Sequence, residues 1–447
     1  MYRTLSAPLA VQVEITDNCN QLCSHCYRAC QNVKKTETTH LTPEQAIKIV
    51  EELSRCGVMS LCFTGGEPLM YKETVKAGVQ KARELGLTIY CNSNLQVLDD
   101  EMPQFFKKYK VGVLTSLFSH EASIHDKIAQ RKGLHDGLLR NIKLLADAGI
   151  LISANMVVRK ENAHQVYETG KLAYNLGVKR FSATKVAPSP NTEYYKYRAT
   201  PNQIKNSLDY LIALRDEFGM RVDILESYPL CFFRDCEKYS HFARRNCTAA
   251  VLNCTVSPNG DIRPCSHADM TYGNILKEGL IYCWKSMQEW RDGSLLNKIC
   301  QNCEYLNQCS GGCRIDAKIH YGDIRGRDPL MSSPNRVEKP LKNADQNNFS
   351  NIILPDEVEM YKFAKIRKED FGGLIILNYD LVFLSKMGYS FLKKNQGKKL
   401  DVKKTIINGL TESEKYNFLA FLYSKKIMRD VKECHTDDND TFTLSSL

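Results

Sequence analysis

The sequence predicts an α/β protein with three folded parts: a partial (β/α)6 TIM barrel, a cysteine-rich domain and a small winged-helix-like C-terminal domain. Three observations predict this order. Strand-like and helical segments alternate as far as residue 183, eight cysteines lie between residues 247 and 313, and strand-like and helical patterns resume after residue 355. The expected parts are the barrel (1–230), the cysteine-rich domain (231–331), a polar linker (332–355), the C-terminal domain (356–432) and a disordered tail (433–447).

Length and composition allow a large buried core. The chain has 447 residues, 43% of them hydrophobic, which is enough for two or three domains. No run of 18 apolar residues appears and the N-terminus lacks a signal-peptide core, so we expect a cytoplasmic protein with no membrane partner. In a reducing compartment, clustered thiols indicate metal rather than disulfides. The net charge of +10 is compatible with an acidic peptide or a lysine-rich surface, and we do not expect nucleic acid to bind.

The barrel prediction depends on repeated strand and helix patterns. A first strand lies near residues 10–15, and the first helix begins at the capping box Thr42-Pro43-Glu44-Gln45 and ends at Gly57. Further strands are expected at 58–63, 87–91, 111–117, 150–158 and 178–183, and further helices at 72–85, 136–148 and 164–176. The strands are apolar enough to be buried on both faces, which predicts a parallel sheet covered by helices. Six such units fit before the second group of cysteines, and a full barrel would need two more.

The first cysteine group comprises Cys19, Cys23 and Cys26, with the spacing C-x3-C-x2-C directly after the first strand. Three thiolates can hold three irons of a [4Fe-4S] cluster and leave the fourth iron without a protein ligand, where a small molecule can bind. A zinc knuckle is the alternative, but zinc sites usually pair two short cysteine arms, and no second arm follows nearby. The spacing therefore favours an iron–sulfur cluster.

This arrangement resembles the radical S-adenosylmethionine (SAM) enzymes. A second motif, Gly65-Gly66-Glu67-Pro68, resembles the loop after the second barrel strand that contacts the amino group of SAM in that family. Glycines let the backbone approach a ligand closely, and Glu67 can accept a hydrogen bond from an ammonium group. The resemblance implies that SAM binds the open iron and is cleaved by one electron to methionine and a 5′-deoxyadenosyl radical, which abstracts a substrate hydrogen.

Polar residues at the carboxyl ends of the later strands are candidate SAM contacts. Asn92 and Ser93 follow the third strand, Ser116 ends the fourth, and Arg131 lies in the segment beyond it. The family resemblance implies that Ser116 and Arg131 hold the carboxylate and ribose side of SAM. Loop capping by the Asn and Ser side chains and a solvated Arg131 are the alternatives.

The second cysteine group has the pattern C-x2-C-x5-C-x3-C at its end, preceded by three further cysteines around a Gly-Asp turn. Its members are Cys247, Cys254, Cys265, Cys300, Cys303, Cys309 and Cys313. The group resembles the SPASM extension of radical SAM enzymes, which carries two auxiliary [4Fe-4S] clusters. The resemblance implies that the first auxiliary cluster is held by Cys247, Cys254, Cys265 and Cys313, and the second in part by Cys300, Cys303 and Cys309. A zinc ribbon would need only four of these thiols.

One position departs from this pattern. The last thiol, expected about eighteen residues after Cys313, is absent, and Met331 occupies its place. The second auxiliary cluster then has an open iron, which could bind substrate, or takes another ligand. The candidate ligands are Asp328, Asp323, His320, Met331 and Cys434.

The C-terminal pattern combines a strand pair or hairpin edge at 371–377 with helices expected at 381–393, 402–408 and 412–425. It resembles the leader-peptide recognition element related to PqqD, the chaperone of pyrroloquinoline quinone synthesis, which adds an extended peptide to a sheet edge. Residues 336–433 contain 19 Lys and Arg against 13 Asp and Glu, which suits an acidic leader. A packing domain without a ligand is the alternative.

Together the resemblances imply a radical SAM peptide maturase that oxidatively modifies a precursor peptide carrying a leader, with a thioether or carbon crosslink as the most concrete product. The electron donor would be a flavodoxin or ferredoxin. An anaerobic sulfatase maturase is one alternative, although it should keep the eighth thiol. A non-catalytic iron–sulfur scaffold is another, although it would not need the Gly65-Gly66-Glu67 loop. No proton acceptor or other catalytic side chain can be named.

Overall fold

The chain forms two compact units, Met1–Leu341 and Lys342–Ser445. A computed structural model describes residues 4–27, 39–188, 194–333, 336–341, 349, 352–361, 366–377 and 380–431. Among these residues no helix combines the length and the apolar character needed to cross a membrane.

The first unit is built on one nine-stranded sheet. Its strands are β1 (Ala10–Thr16), β2 (Ser60–Gly65), β3 (Thr88–Asn92), β4 (Gly112–Ser116), β5 (Ile152–Val158), β6 (Arg180–Lys185), β7 (Arg221–Asp223), β8 (Asn253–Val256) and β9 (Ile262–Arg263). The spatial order is β7-β6-β5-β4-β3-β2-β1-β8-β9. Neighbouring strands are parallel throughout except for the antiparallel pair β8 and β9.

Helices connect the parallel strands and cover the sheet. They are α1 (Pro43–Arg55), α2 (Lys72–Glu84), α3 (Met102–Lys108), α4 (Ala122–Ala129), α5 (Leu134–Asp147), α6 (Val166–Asn175), α7 (Tyr194–Tyr197), α8 (Pro201–Phe218), α9 (Leu230–Phe233), α10 (Ser240–Ala243), α11 (Leu280–Ser286), α12 (Lys298–Gln301), α13 (Leu306–Cys309) and α14 (Arg314–Tyr321). The predicted capping box of α1 is confirmed, since Thr42 and Gln45 each accept a hydrogen bond from the backbone N–H of the other. Helix α2 lies so close to β2 that a Cβ on Gly78 would stand 2.5 Å from the Phe63 ring.

The α/β class and the six predicted strands of the partial barrel are confirmed. The structure adds β7 beyond β6 and places β8 beside β1, so that Cys254 lies opposite Val11. These strands are only three and four residues long, which is too short for a periodic pattern to show in sequence. Because β1 to β6 are parallel, their carboxyl ends share one edge, where Thr16, Asn92 and Ser116 lie.

The second unit contains two antiparallel three-stranded sheets. Its elements are β10 (Glu357–Met360), β11 (Arg367–Glu369), β12 (Gly372–Leu377), β13 (Asp380–Ser385), α15 (Lys386–Asn395), β14 (Lys399–Asp401), α16 (Glu412–Ser424) and β15 (Met428–Asp430). One sheet has the order β14-β10-β15 and the other β11-β12-β13. Among the described residues, β14 and β15 are the outer strands of one sheet, and β11 and β13 are those of the other.

Two helix predictions for this unit are wrong. Residues 381–385 belong to β13, because Val382 and Leu384 alternate into the core and the strand pairs with β12; the helix begins only after the N-cap Ser385. Residues 402–404 and 408 lie in turns and residues 405–407 have no regular secondary structure, so the expected helix is absent there. The described part of this unit thus has two helices instead of the three expected for a winged helix. The predicted tail, 433–447, with Cys434, lies outside the described residues.

Candidate functional site

The first cysteine group occupies the loop that follows β1. The backbone N–H of Cys26 donates to the Cys23 carbonyl at 3.0 Å, and the N–H of Gln21 donates to Cys19 Sγ at 3.4 Å. All three cysteines are partly exposed, so they are not core residues. An N–H donor at a sulfur stabilises its thiolate form, which is the form that binds iron.

The glycine motif lies directly against the chain that leads into this loop. Gly66 N donates to the Thr16 carbonyl at 2.7 Å, and Glu67 N donates to the Asn18 carbonyl at 2.8 Å. A Cβ on Gly66 would stand 1.8 Å from the Asn18 oxygen, and Gly65 has φ +131°. Only glycine fits this close approach. The structure therefore joins the two sequence motifs through backbone hydrogen bonds.

The Glu67 side chain is buried and holds neighbouring loops together. Its Oε1 accepts hydrogen bonds from Ser93 Oγ at 2.7 Å and Leu69 N at 3.0 Å, and its Oε2 accepts from Asn94 N at 2.8 Å. Burial raises the pKa of Glu67 to about 7, although these hydrogen bonds act to lower it. In the structure the Glu67 carboxylate therefore joins the loops after β2 and β3, and its contact with the SAM ammonium stays a prediction.

Of three other predicted SAM contacts, Ser93 and Asn92 form hydrogen bonds within the protein and Ser116 ends a strand. Ser93 is buried, and its hydroxyl donates to Glu67 and accepts from Leu95 N at 3.0 Å. Asn92 donates to Thr64 Oγ1 at 3.3 Å. Ser116 is the last residue of β4 and is partly exposed at the carboxyl edge. The role of all three side chains in SAM binding stays a prediction. Pro68 is buried and begins the short 3-10 helix Pro68–Tyr71.

Two side chains from later loops converge on Asn20, next to Cys19. The Asn94 amide donates to Asn20 Oδ1 at 2.7 Å and lies 3.8 Å from Cys19 Sγ, and Arg131 donates to the Asn20 carbonyl at 3.2 Å. The exposed Arg131 is therefore within reach of a ligand bound at this loop. The structure brings Arg131 to the first cysteine group, and its contact with SAM stays a prediction.

Arg159, which the sequence analysis missed, also holds this loop. It follows β5, is 2% exposed, and donates to the hydroxyl of Ser24, between Cys23 and Cys26. Its guanidinium pairs with Glu161 at 2.7 Å and lies 3.9 Å from the centre of the Tyr197 ring. A charged residue directly after a barrel strand was the available signal, because strand ends carry the ligand contacts in such folds.

The second cysteine group adjoins the first. Tyr27, directly after Cys26, makes an edge-to-face contact with His267, two residues after Cys265, with 4.5 Å between ring centroids. Cys254 lies on β8 beside β1, and Cys313 is the N-cap of α14. Sequence could not reveal this proximity, since more than two hundred residues separate the segments.

A buried ionic cluster lies at the carboxyl end of β6, beside Cys313. Lys185 Nζ lies 2.6 Å from Asp316 and 2.7 Å from Glu226, and the Tyr194 hydroxyl donates to Asp316 at 2.6 Å. Burial acts to lower the pKa of Lys185, but the two carboxylates raise it well above its ordinary value. Asp316 N also donates to Cys313 Sγ at 3.4 Å. The cluster thus holds α14 and its cysteine against the barrel.

Two buried arginines border a cavity of about 490 Å³ next to Cys247. Within the described residues, Nε of Arg291 and Nε of Arg314 have no hydrogen-bond partner, while their other nitrogens donate to backbone carbonyls. Arg314 also interacts electrostatically with the thiols of Cys247 and Cys300. A buried cation needs negative charge nearby, and a thiolate-bound iron–sulfur cluster supplies it. The residues present therefore fit auxiliary clusters.

No three His, Cys, Asp or Glu side chains in the described ranges converge on a point where a single metal ion would bind. In a [4Fe-4S] cluster each cysteine binds a different iron, so its ligands surround a larger volume than one ion.

The alternative ligands for the second auxiliary cluster have different surroundings. Asp328 is buried and accepts hydrogen bonds from Cys313 N at 2.7 Å and Leu330 N at 2.8 Å. Asp323 accepts from Arg325 N at 2.9 Å, and His320 stands 3.3 Å from Arg198. Met331 Sδ lies 3.6 Å from Cys300 Sγ. Of these four side chains, only Met331 is seen to contact the sulfur of one of the predicted ligands of this cluster, Cys300.

Comparison with known proteins gives two matching families. The profile of the radical SAM superfamily matches residues 13–173, and that of SPASM, an iron–sulfur cluster-binding domain, matches residues 247–304. An AdoMet-dependent heme synthase of Methanosarcina barkeri is 23% identical over 347 residues, covering 74% of this chain and 97% of that protein. A PqqA peptide cyclase of Bradyrhizobium diazoefficiens is 24% identical over 358 residues, covering 77% of this chain and 91% of that protein.

The fold also matches solved structures. The crystal structure of Streptococcus suis SuiB bound to precursor peptide SuiA superposes with a TM-score of 0.60 at 19% identity, covering 73% of this chain and 76% of that chain. At this identity the likeness concerns the fold alone.

Proposed function

This chain belongs to the radical SAM superfamily and carries a SPASM iron–sulfur domain, and from that premise we propose that it oxidatively modifies a ribosomally made precursor peptide. The peptide cyclase among its relatives supports this substrate class, and the fold shared with a peptide-bound enzyme is compatible with it. A thioether or carbon crosslink within the peptide is the product we favour.

In this proposal Cys19, Cys23 and Cys26 hold the SAM-binding cluster. When bound, that cluster supplies the electron that cleaves SAM to methionine and a 5′-deoxyadenosyl radical. Because Gly65 and Gly66 have no side chain, the loop after β2 packs closely against the cysteine loop, and its backbone would be able to contact SAM. Arg131 and Ser116 hold the carboxylate and ribose side of SAM. The buried Glu67 keeps the surrounding loops in place and excludes water from the base of the site.

The contact between Tyr27 and His267 is the observation that carries the proposal. Tyr27 directly follows Cys26 and His267 lies two residues after Cys265, so the contact supports a short distance between the SAM-binding cluster and the first auxiliary cluster. Hydrogen abstraction from the peptide would leave a substrate radical, and closing the new bond would then release one electron and one proton. An auxiliary cluster held by Cys247, Cys254, Cys265 and Cys313 would accept that electron, which suits oxidative crosslinking.

The C-terminal unit is proposed to hold the leader of the precursor. Its two small sheets have edge strands, and an extended peptide can pair with such an edge. The excess of Lys and Arg in residues 336–433, 19 against 13 acidic residues, favours an acidic leader. We place the enzyme in the cytoplasm, with a flavodoxin or ferredoxin as its electron donor.

A second candidate substrate is a porphyrin. The heme synthase relative favours it, because the alignment covers 97% of that protein. A porphyrin has no leader, so the second unit would have no role in binding it.

The test is anaerobic incubation of the reconstituted enzyme with SAM, dithionite and short precursor peptides encoded next to its gene. We expect 5′-deoxyadenosine by chromatography and a peptide that has lost two hydrogens by mass spectrometry. The matched control is the Cys23→Ala and Cys26→Ala double variant, which should form neither product. SAM cleavage with unchanged peptides, together with heme formation from a porphyrin precursor, would favour the second candidate. Absence of SAM cleavage would identify a scaffold.

A further inference from the structure

The second auxiliary cluster lacks its expected last cysteine, and the residue in that place does not complete the site as it stands. Met331 Sδ and Cys300 Sγ are 3.6 Å apart, which is van der Waals contact between two sulfurs. The outer ligands of a [4Fe-4S] cluster point to separate corners of a tetrahedron, well beyond such contact. Two touching sulfurs therefore cannot occupy two corners of one cluster.

A different cysteine, Cys231 in α9, borders the same group. The N–H of Leu230, the residue before it, donates to Cys309 Sγ at 3.3 Å. On the other side, the Ser332 hydroxyl donates to the backbone carbonyl of Cys231, and Ser332 directly follows Met331. Cys231 is thus connected to two cysteines of the group. Its neighbour Leu230 contacts Cys309, and Ser332, which binds its carbonyl, follows the Met331 that contacts Cys300.

Burial raises the pKa of the Cys300 thiol and of the Cys309 thiol, and the charge of the Cys231 thiol acts in the same direction on both. Cys231 is 8% exposed, the same fraction as Cys300. The next thiol along the chain, Cys236, donates instead to the Leu230 carbonyl at 3.6 Å and gives a matched comparison.

We propose that Cys231 supplies the fourth thiolate of the second auxiliary [4Fe-4S] cluster, in place of the residue at position 331. Thiolate is a better ligand for iron in such a cluster than the thioether of Met331. The consequence is a cluster with four cysteine ligands, which serves as an electron carrier and leaves no iron for substrate. The inference rests on the two auxiliary clusters of the proposed function and is independent of the substrate.

The test measures iron, sulfide and the electron paramagnetic resonance (EPR) spectrum of the dithionite-reduced full chain, in the Cys23→Ala and Cys26→Ala background that removes the first cluster. We expect Cys231→Ala to lose about one cluster's iron or to show a three-iron signal after oxidation. Met331→Leu and Cys236→Ala should keep the parent iron content and spectrum. Circular dichroism melting compares the folding of the variants.

Cys231→Ser is the second variant, since a serine oxygen can retain the cluster while shifting its EPR signal. A shifted signal supports ligation, because a thiol that only packs would leave the spectrum unchanged. The parent iron content and spectrum in both Cys231 variants would overturn the proposal. So would absence of a second auxiliary cluster from the parent protein. Neither of these two results would contradict peptide modification by the wild-type enzyme. Conversely, if the Cys231 variants lose or alter the cluster as expected but the wild-type enzyme leaves the peptides unmodified, only the proposed function would be overturned.

Discussion

The ammonium of Lys185, at the end of β6, lies 2.6 Å from the carboxylate of Asp316 in the first turn of α14, and both side chains are buried. Glu226 is the second carboxylate on the same ammonium, at 2.7 Å. The three charges join the barrel to the helix that begins at Cys313. Such a cluster is stable only when complete, because a buried charge without its partner is costly.

We therefore predict that Lys185→Met lowers the free energy of unfolding by about 3–5 kcal/mol, the usual cost of breaking a buried ion pair. The matched control is Lys318→Met, which removes the exposed pair of Lys318 with Asp269 on the same helix and should cost less than about 1 kcal/mol. Anaerobic urea unfolding followed by circular dichroism measures both. Equal effects of the two substitutions would contradict the role given to Lys185.

Gly66→Ala should abolish SAM binding. The added Cβ would stand 1.8 Å from the Asn18 oxygen, so the β2 loop must move away from the first cysteine group. Gly86→Ala is the control, because a Cβ there meets nothing within 4 Å and only the strain of φ +70° remains, about 1 kcal/mol. Anaerobic titration calorimetry with SAM measures the difference. Wild-type affinity in Gly66→Ala would rule out this loop as part of the SAM site.

Arg159→Met should weaken the first cluster site, because Arg159 donates a hydrogen bond to Ser24, which lies between the predicted ligands Cys23 and Cys26. Loss of a hydrogen bond from a charged donor costs about 1.5–3 kcal/mol, so we expect SAM cleavage to fall about tenfold or more. The exposed neighbour Lys160, replaced by Met, serves as control. The measurements are iron content after reconstitution and the rate of 5′-deoxyadenosine formation. Equal rates in the two variants would contradict this role.

His125 should make stability depend on pH. It is 1% exposed and its Nδ1 accepts a hydrogen bond from Phe118 N, which requires a neutral ring. Burial lowers the pKa of His125 to about 4, from 6.5. The unfolded chain therefore takes up a proton first as pH falls, and the stabilisation present above pH 6.5 is lost progressively down to about pH 4.

Between pH 6.5 and 5 this loss amounts to about 2 kcal/mol. The stability of His125→Phe should depend on pH less than that of the wild type, by that amount, and replacement of the exposed His164 by Phe is the control substitution. Urea unfolding at the two pH values measures the difference. An unchanged pH dependence in His125→Phe would contradict the prediction.

Local patterns predicted the elements that are long and regular. The capping box at Thr42, the six barrel strands and the cysteine spacings were all visible, because each depends on residues close in sequence. The wrong helices at 381–385 and 402–408 show the limit of such patterns, since Val382 and Leu384 suit either a strand or a helix. Pairing with β12 decided between them.

The sequence by itself determined the chemistry that we predict: three cysteines with the spacing of a cluster that has an open iron, a glycine loop and a second group of thiols. Only the tertiary structure decided which groups meet. It directed the Glu67 carboxylate to Ser93, placed Arg159 on the cysteine loop and brought Cys231 beside Cys309. The physical reason is that spacing and periodicity report contacts within a segment, whereas these contacts depend on strand order and loop closure between distant segments.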